Sequence, residues 1–465
     1  MGAATGAAIG ALALAACATL PPQLGAAPTP LARTQLGLKG PQYSPAPDAW
    51  WQALGDPQLD RLMSEALRDN PRLAEANARW QDAEAQAAAA AAARLPDARL
   101  KASEERLKVP SGFGPYLLGG HTVWYGSLGA ALSWDPDLWG EHADQAAAVD
   151  RLSDAAGMDR AEARLLLSGA LVEAYLQLDR AYALQDIAAD TEAQRARIVE
   201  ITRRRVAAGL DTRVELREAE GAVPQTHLAL LQAQAQAALA RHELAALVGQ
   251  GAELYGSIQR PHLDVTALQA LPASLPINLL ARRPDVIAAR QRIAAADAQR
   301  SAARAAFYPS INLAAFVGFA SVSLSNLISA QSLGYGAGPA LSLPIFDGGR
   351  LRANLAGADA RYDEAVAHYN SLLIGAMNEV SDLVSALSSV RTQIALEQRA
   401  KQDAQKSWND AMSAYKGGVS GPLTPLASRQ QLLLVDQRLA ALRSQQADLS
   451  IRLIDALGGG YRTPQ

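Results

Sequence analysis

Two stretches of this chain run for about 68 residues with almost nothing to stop a helix. Between Glu141 and Ala208 the interruptions are Gly157 and Gly169; between Arg350 and Lys416 they are Gly357 and Gly375. At ~1.5 Å of rise per residue, each run reaches ~100 Å as one helix, far beyond the needs of a small domain. Helices of that length must find partners along their whole extent. The apolar residues supply the seams. Val380, Leu383, Leu387, Val390 and Ile394 recur in alternating steps of three and four. So do Leu432, Val435, Leu439, Leu442, Gln446, Leu449 and Leu453, with the Gln as the single polar member, and Leu171, Tyr175, Leu178 and Tyr182. This spacing packs helices at coiled-coil angles. It is a structural stripe, not a cofactor site.

Beside each long run lies a segment without charge. From Ala305 to Phe346, and again from Val109 to Trp134, there is no Asp, Glu, Lys or Arg, and in the latter only His121 can titrate near neutrality. Neither segment suits a membrane helix. They carry Gly112, Gly114, Gly119, Gly120, Gly126 and Gly129, then Gly318, Gly334, Gly336 and Gly338, with Pro110, Pro115, Pro339 and Pro344. Gly and Pro each cost a helix interior about 1 and 3 kcal/mol. A period of two fits instead. Trp124, Gly126, Leu128, Ala130, Leu132 and Trp134 share one face; Val123, Tyr125, Ser127, Gly129, Ala131 and Ser133 share the other. Ile311, Leu313 and Ala315 alternate with Ser310, Asn312 and Ala314, and Leu341, Leu343 and Ile345 with Ala340, Ser342 and Pro344. Strands of about 10–13 residues have the length of tilted membrane strands. Trp124, Tyr125, Trp134, Phe307, Tyr308, Tyr335 and Phe346 suit interfacial girdles, with Leu128 facing lipid and Ser127 a lumen. A soluble hairpin with one face on a core is the competing reading.

Hairpins are expected at about 97–134 and 310–346, hence four strands per chain. A closed membrane barrel needs at least ~8, because an open edge leaves backbone groups unsatisfied in lipid. A membrane location therefore requires a barrel shared between chains, of 8 strands from two copies or 12 from three.

The chain is duplicated at an offset of about 209. Leu132-Ser133 matches Leu341-Ser342, Trp139-Gly140 falls opposite Gly348-Gly349, and Gly209 matches Gly418. Arg94-Leu95-Pro96 sits opposite Phe307-Tyr308-Pro309 at offset 213, and Leu247-Val248-Gly249 opposite Leu457-Gly458-Gly459. The expected organisation is a first repeat over 58–249, an equatorial segment over 250–277, a second repeat over 278–459 and a tail over 460–465. Within the repeats, helices are expected at 141–208, 212–248, 278–306, 349–416 and 424–457. Gly209 and Gly417-Gly418 end the long helices. Thr212 to Glu215 reads as a capping box, Thr424 and Pro425 as N-cap and N1, and Pro224 as a kink in the first returning helix.

The 43 basic and 46 acidic residues balance to a net charge of −3, which gives no footprint for nucleic acid. The single cysteine, Cys17, excludes a disulfide framework and a CxxC zinc cluster. It closes an apolar stretch, Ala7 to Ala16, of signal-peptide length. Residues 1–16 are expected to be the signal, and 17–57 a Pro-rich extended arm. Leu14-Ala15-Ala16-Cys17 resembles a lipobox, which implies acylation of Cys17; Ala18 in place of Asp points to the outer membrane.

Several segments resemble one family. Trp50-Trp51-Gln52-Ala53-Leu54-Gly55-Asp56-Pro57-Gln58-Leu59-Asp60-Arg61-Leu62, with Ala66-Leu67 and Asn70-Pro71, is similar to the N-terminal signature of TolC-like outer-membrane efflux proteins. Leu279-Leu280-Ala281-Arg282-Arg283-Pro284-Asp285-Val286, running on to Phe307-Tyr308-Pro309, is the most specific match. Asp137-Leu138-Trp139-Gly140 and Phe346-Asp347-Gly348-Gly349-Arg350 also fit. The nearest branch is the lipoprotein one, OprM/NodT-like, that serves resistance-nodulation-division pumps. The resemblance implies an α+β membrane protein: a homotrimeric 12-stranded β-barrel continued by a periplasmic α-helical barrel, with an equatorial collar near 250–276. It implies partners, a periplasmic adaptor and an inner-membrane pump, and docking at the hairpin tips: Val206, Gly209, Leu210 and Asp211 at the first, Gly418, Val419 and Ser420 at the second. The second tip departs from the family in carrying Ser420, Gly421 and Pro422 where acidic residues are frequent.

No catalytic chemistry is expected, and no cofactor or metal. The six His form no HExxH or i,i+4 ligand pair, and there is no phosphate-loop motif. Gly334-Tyr335-Gly336-Ala337-Gly338 is strand alternation, not a dinucleotide fingerprint. The reading is a passive exit duct of a tripartite efflux pump. The alternatives are the outer conduit of an ABC-driven or type I secretion system and a soluble coiled-coil scaffold.

Overall fold

The computed structural model describes residues 29–31, 47–110, 120–210, 212–264, 282–421 and 423–461. Its elements in chain order are α1 (Pro57–Asp69), α2 (Pro71–Ala92), β1 (Asp97–Lys108), β2 (Thr122–Trp134), α3 (Glu141–Ala207), α4 (Arg213–Val248), α5 (Pro284–Ala305), β3 (Ser310–Ser321), β4 (Leu333–Ser342), α6 (Arg350–Lys416) and α7 (Leu423–Ala456). The chain divides into two compact units: 1–30, 79–157 and 288–370 in the first, 31–78, 158–287 and 371–465 in the second.

The first unit holds one antiparallel sheet in the order β1-β2-β3-β4. Leu128 pairs with Ala102 on one side and Phe319 on the other, and Val317 pairs with Tyr335. The helical segments beside the sheet meet through small residues. Ala148, Ala155, Ala295, Ala302 and Ala358 are buried, and Phe307 packs on Leu351 and Leu355. Helix entry from the sheet is capped by carboxylates. Asp137 accepts from the backbone N–H of His142 (3.1 Å) and Ala143 (2.7 Å), and Asp347 from those of Gly349 (2.9 Å) and Leu351 (2.7 Å). The N–H of Leu351 holds the Asp347 carboxyl below its ordinary value. Gly140 and Gly349, equivalent at offset 209, both take the left-handed conformation that opens these helices. Trp139 stacks on Tyr308 (5.0 Å) and donates from Nε1 to the carbonyl of Pro309 (2.7 Å).

The second unit is a helical packing unit whose core is built by the N-terminal signature. Trp50, Trp51, Leu54, Leu59, Leu62 and Met63 are buried against Leu171, Tyr175, Leu178, Leu244, Val248, Ile451 and Ile454. Asp56 is the N-cap of α1 with Pro57 at N1. Burial works against its ionisation. Bonds from the His262 N–H (2.7 Å), the Tyr175 hydroxyl (2.8 Å) and the Gln58 N–H (2.9 Å) overcome that and hold the carboxyl below its usual range. The seam residues Val380, Leu383, Leu387, Val390 and Ile394 are buried, as are Leu432, Val435, Leu439, Leu449 and Leu453.

The helix ends repeat a single device. Gly249 ends α4 with φ 82°, and Gly458 follows α7 with φ 88°. A Cβ at Gly249 would stand 2.9 Å from the carbonyl oxygen of Asp69, beside Pro71; one at Gly458 would stand 3.0 Å from that of Arg282. Each returning helix thus presses a left-handed glycine against an X-Pro helix start, Asn70-Pro71 or Arg283-Pro284. The equivalence is Gly249 with Gly458, one residue off the sequence pairing of Gly249 with Gly459, because the left-handed cap and not the local run of glycines sets the register.

Other boundaries also differ from the sequence reading. The first repeat's opening helix is two helices, divided at Asn70, whose side chain accepts from Arg72 N–H (2.8 Å) and donates to the Leu247 carbonyl (2.7 Å). The helix expected at 278–306 begins at Pro284, since a residue before proline avoids helical backbone; 278–281 lie outside the described residues. β4 stops at Ser342, short of 346, where Pro344 removes a ladder donor. Ile345 and Phe346 are off the strand and fully exposed. α7 starts at Leu423, so Thr424 is inside the helix, not its N-cap. α6 starts at Arg350, one residue after the expected 349. α4 runs unbroken through Pro224.

Arg283 ties the second unit together. Its guanidinium pairs with Asp285 (2.9 Å) and Glu379 (2.9 Å) and donates to the Ala456 carbonyl (3.1 Å), with its side chain 15% exposed. Arg283→Ala leaves two carboxylates without their cation and is expected to destabilise the fold by about 3 kcal/mol or more. Arg283→Lys should recover little, because one ammonium cannot reproduce the planar fork. Thermal unfolding of the purified protein checks both.

Candidate functional site

The register of the sheet sorts its side chains into two unlike faces. With Leu128 stand Leu100 and Ala102 of β1, Trp124, Leu132 and Trp134 of β2, Leu313, Val317 and Phe319 of β3, and Tyr335 and Leu341 of β4. Most of these large apolar residues are exposed in the single chain. Such a contiguous patch marks a surface made for lipid or a partner. Leu324 and Leu327 lie over Gly126, at van der Waals distance from where its Cβ would stand, which continues the apolar covering. Trp124 and Trp134 bound the patch. Ten residues separate them, about 33 Å of strand, or about 25 Å of height at the tilt of a membrane barrel. Arg106 lies over the Trp124 ring (5.6 Å), and Trp134 donates to the Arg94 carbonyl (3.1 Å).

The other face carries Asp97, Arg99, Lys101, Ser103 and Glu105 of β1, with Ser127, Ser133 and Asn312, and beside them Val123, Tyr125 and Phe316. Its polar groups bond to one another: Ser103 Oγ with Ser127 Oγ (2.9 Å), and Asn312 Nδ2 to Ser133 Oγ (3.0 Å). A sheet mainly apolar on one side, where the charged exceptions Glu104 and Arg106 both sit on β1, and richer in polar groups on the other can separate lipid from water. Among the described residues no further strand lies beside the outer strands β1 and β4, so each presents an open ladder.

The two turns that join the long helices to the returning ones share their geometry. Gly209 has φ 71°, and the N–H of Leu210 bonds to the Arg205 carbonyl (2.9 Å); Gly418 has φ 74°, and the N–H of Val419 bonds to that of Ala414 (2.9 Å). Both are Schellman ends with the glycine at C′. Among the described residues nothing stands within 4 Å of a Cβ at either glycine, so the requirement is backbone conformation and not space. Thr212 and Glu215 form the capping box that starts α4. Leu210 is 66% and Val419 84% exposed. Val214 and Leu423, four residues on, are also exposed, so each turn displays an apolar pair at equivalent positions. Sequence reasoning missed this second member; the offset of 209 pairs Val214 with Leu423 and contained the signal. Val206 lies in the last turn of α3, and its carbonyl accepts from Gly209 N–H (3.0 Å); Ser420 N–H reaches Ala414 O (3.3 Å). Gln194 donates to the Leu426 carbonyl (2.9 Å), which ties the first turn of α7 to α3. Asp211 and Cys17 lie outside the described residues.

One buried carboxyl in the second unit bears on pH. Asp455 of α7 stands against Gly169 of α3 with Oδ1 unpaired. Burial, with Glu173 and Glu379 nearby, pushes its pKa up to about 8. An acid held protonated by the fold weakens the fold as it ionises. Stability should therefore fall as pH rises from the ordinary carboxylate range through about 8. Asp455→Asn should flatten that dependence, read as the heat-dissociation midpoint between pH 5 and 9.

Comparison with known proteins agrees with this geometry. The outer membrane efflux protein family matches residues 62–250 and 275–459. The chain is 31% identical over 422 residues to the multidrug resistance outer membrane protein MdtP of Escherichia coli, covering 89% of this chain and 86% of that one. It is 38% identical over 323 residues to the fusaric acid resistance protein FusA of Burkholderia cepacia, a match over 68% of this chain that spans 60% of that protein's length. The crystal structure of the outer membrane protein VceC of Vibrio cholerae superposes with a TM-score of 0.83 at 35% identity, over 90% of this chain and all of that one. These are proteins of efflux channels, not enzymes, with a strand barrel continued by helices. Matched over both of its repeats, the chain belongs to the outer membrane efflux protein family.

Proposed function

We propose that this chain is the outer-membrane exit duct of a tripartite efflux pump. Three copies close edge to edge, β1 of one beside β4 of the next, into a 12-stranded barrel whose polar face lines the lumen. The helices continue the conduit into the periplasm. An inner-membrane pump supplies the energy and a periplasmic adaptor docks on the apolar pairs at the two turns; the duct itself is passive. The observation that carries this reading is the sheet: one face mainly apolar across β2, β3 and β4 and bounded by Trp124 and Trp134, the other holding most of the polar side chains, and no further strand at either edge among the described residues. Backbone groups at such edges cannot be left unpaired in lipid. The multidrug and fusaric acid resistance proteins it resembles favour small toxic molecules as cargo. The test is export of a fluorescent drug by cells whose own duct is deleted, supplied with this chain, an adaptor and a pump. Recovery only with an ABC-driven transporter would favour the secretion-system alternative.

Anchoring belongs to the same proposal. Cys17, at the end of the Leu-Ala-Ala-Cys site, carries lipid, each buried CH₂ contributing about 0.8 kcal/mol to membrane attachment. Mass spectrometry of the mature N-terminus should find an acylated Cys17; an unmodified cysteine, or cleavage elsewhere, would contradict it. Cys17→Ser should still trimerise, since the barrel itself holds the protein in the membrane.

A further inference from the structure

We infer that Lys101 is a charge-selectivity element of the pore, which draws anionic solutes through the barrel and slows cationic ones. The inference rests on the reading of the polar sheet face as the lumen wall.

The sheet register puts Lys101 beside Gly129, Gly129 beside Gly318, and Gly318 beside Gly334. At that height the lumen face of each chain offers one side chain, a lysine, and three glycines. Two of these glycines are required where β2 and β3 approach: a Cβ at Gly318 would stand 2.6 Å from Gly129 Cα and 2.8 Å from the Leu128 carbonyl oxygen, while Gly334 has open space around it. Among the described residues no acidic group forms an ion pair with Lys101. The segments 109–134 and 305–346 contain no Asp, Glu, Lys or Arg, so β2, β3, β4 and the loops between them bring none. In a closed barrel the strand next to β1 is β4 of another copy, and it is equally uncharged in any register. All fixed charge on the lumen wall therefore comes from β1. Within β1, Arg99 is taken up by Asp97 (2.6 Å). Glu105 lies four residues away, about 13 Å of backbone along the strand, and makes no ion pair with Lys101. Gly129 is near the middle of β2 (Thr122–Trp134), so three copies would set three lysine charges around the middle of the lumen.

The test reads local potential directly, independent of any constriction elsewhere in the conduit. Ser127→Cys places a thiol on the same face, one step along β2 from the Lys101 level, in a Cys17→Ser background that removes the chain's single native cysteine. Membrane-impermeant thiol reagents are applied to the folded protein in cells, one bearing a sulfonate and one a trimethylammonium group. With Lys101 present, the anionic reagent should react faster than the cationic one, normalised to a free thiol. Lys101→Gln should lower that ratio about three- to seven-fold at low salt, as expected for one charge at roughly 7 Å in water. Lys101→Arg should preserve it. Should Lys101→Gln assemble poorly, salt supplies the second measurement, because the ratio with Lys101 intact should collapse at 1 M, where screening acts within ~3 Å. A ratio unaffected by Lys101→Gln, or unaffected by salt, overturns the inference and leaves the duct standing. A Ser127→Cys thiol inert to both reagents in folded protein overturns the lumen assignment and the inference with it.

Discussion

Leu128→Arg is expected to remove most of the folded protein from the outer membrane, while Ser127→Arg, one residue away, spares it. Leu128 lies on the apolar face at mid-strand, between Ala102 and Phe319, and Ser127 lies on the polar face beside Ser103. An arginine in lipid near the midplane costs a membrane barrel ~2–4 kcal/mol per chain, and the cost recurs in every copy that closes the barrel. Ser127→Arg meets water. Heat-resistant oligomer on unboiled gels, beside total protein on boiled ones, gives the readout. Equal losses in both variants would refute the face assignment; no loss in either would refute the membrane strand.

Gly209→Val and Gly418→Val should produce the opposite phenotype, an intact outer-membrane oligomer that no longer exports. Both glycines are left-handed, with φ 71° and 74°, a conformation costing a Cβ-bearing residue roughly 1–2 kcal/mol and least available to a β-branched one. Open space around both means that Gly209→Asn and Gly418→Asn should be tolerated, since Asn enters this region most readily among the others. The turns end helices far along the chain from the strands, so barrel assembly should not feel them. Docking should, because each turn recurs in every copy and displays its apolar pair at an angle the glycine sets. Leu210→Asp and Val419→Asp should weaken adaptor crosslinking in the same way by charging the exposed pair. Export at the wild-type rate in all of these variants would show that the turns are not the coupling surface.

Much of this was legible in the sequence because the strongest signals are periodic. The seam from Val380 to Ile394 could be recognised by its steps, and the strand at 122–134 by its alternation without charge. The signature residues around Trp50 are legible in hindsight as core and cap: Leu54, Leu59 and Leu62 fill the second unit, and Asp56 collects three hydrogen bonds. What stayed hidden depended on pairing. β1 has charge on both faces, with Lys101 and Glu105 on one and Glu104 and Arg106 on the other, so its own alternation could not say which face was wet. Only its register against the apolar β2 decides that, and with it the position of Lys101. The break at Asn70 was available in the sequence, since Pro71 keeps the residue before it out of helical backbone; what the sequence does not show is the bond to the Leu247 carbonyl that holds Asn70 there. The end of β4 at Ser342 was missed because alternation continues past Pro344 on paper while the ladder donor is lost there. At the turns, Leu210 and Val419 were found beside their glycines, whereas Val214 and Leu423 look like ordinary helix residues until their exposure is seen.

The central claim is that separate copies join β1 to β4. Within one chain these strands stand at opposite edges of the sheet with two strands between them, roughly 14 Å apart, beyond the reach of any disulfide. Paired cysteines therefore report only contacts between copies. In a Cys17→Ser background, Leu100→Cys on β1 is combined in turn with Tyr335→Cys, Ala337→Cys and Pro339→Cys on β4, all on the apolar face, and cells are oxidised before denaturing gels. The account predicts covalent dimers and trimers, and nothing larger, for at least one pairing. Monomer alone in all three would contradict a barrel shared between copies.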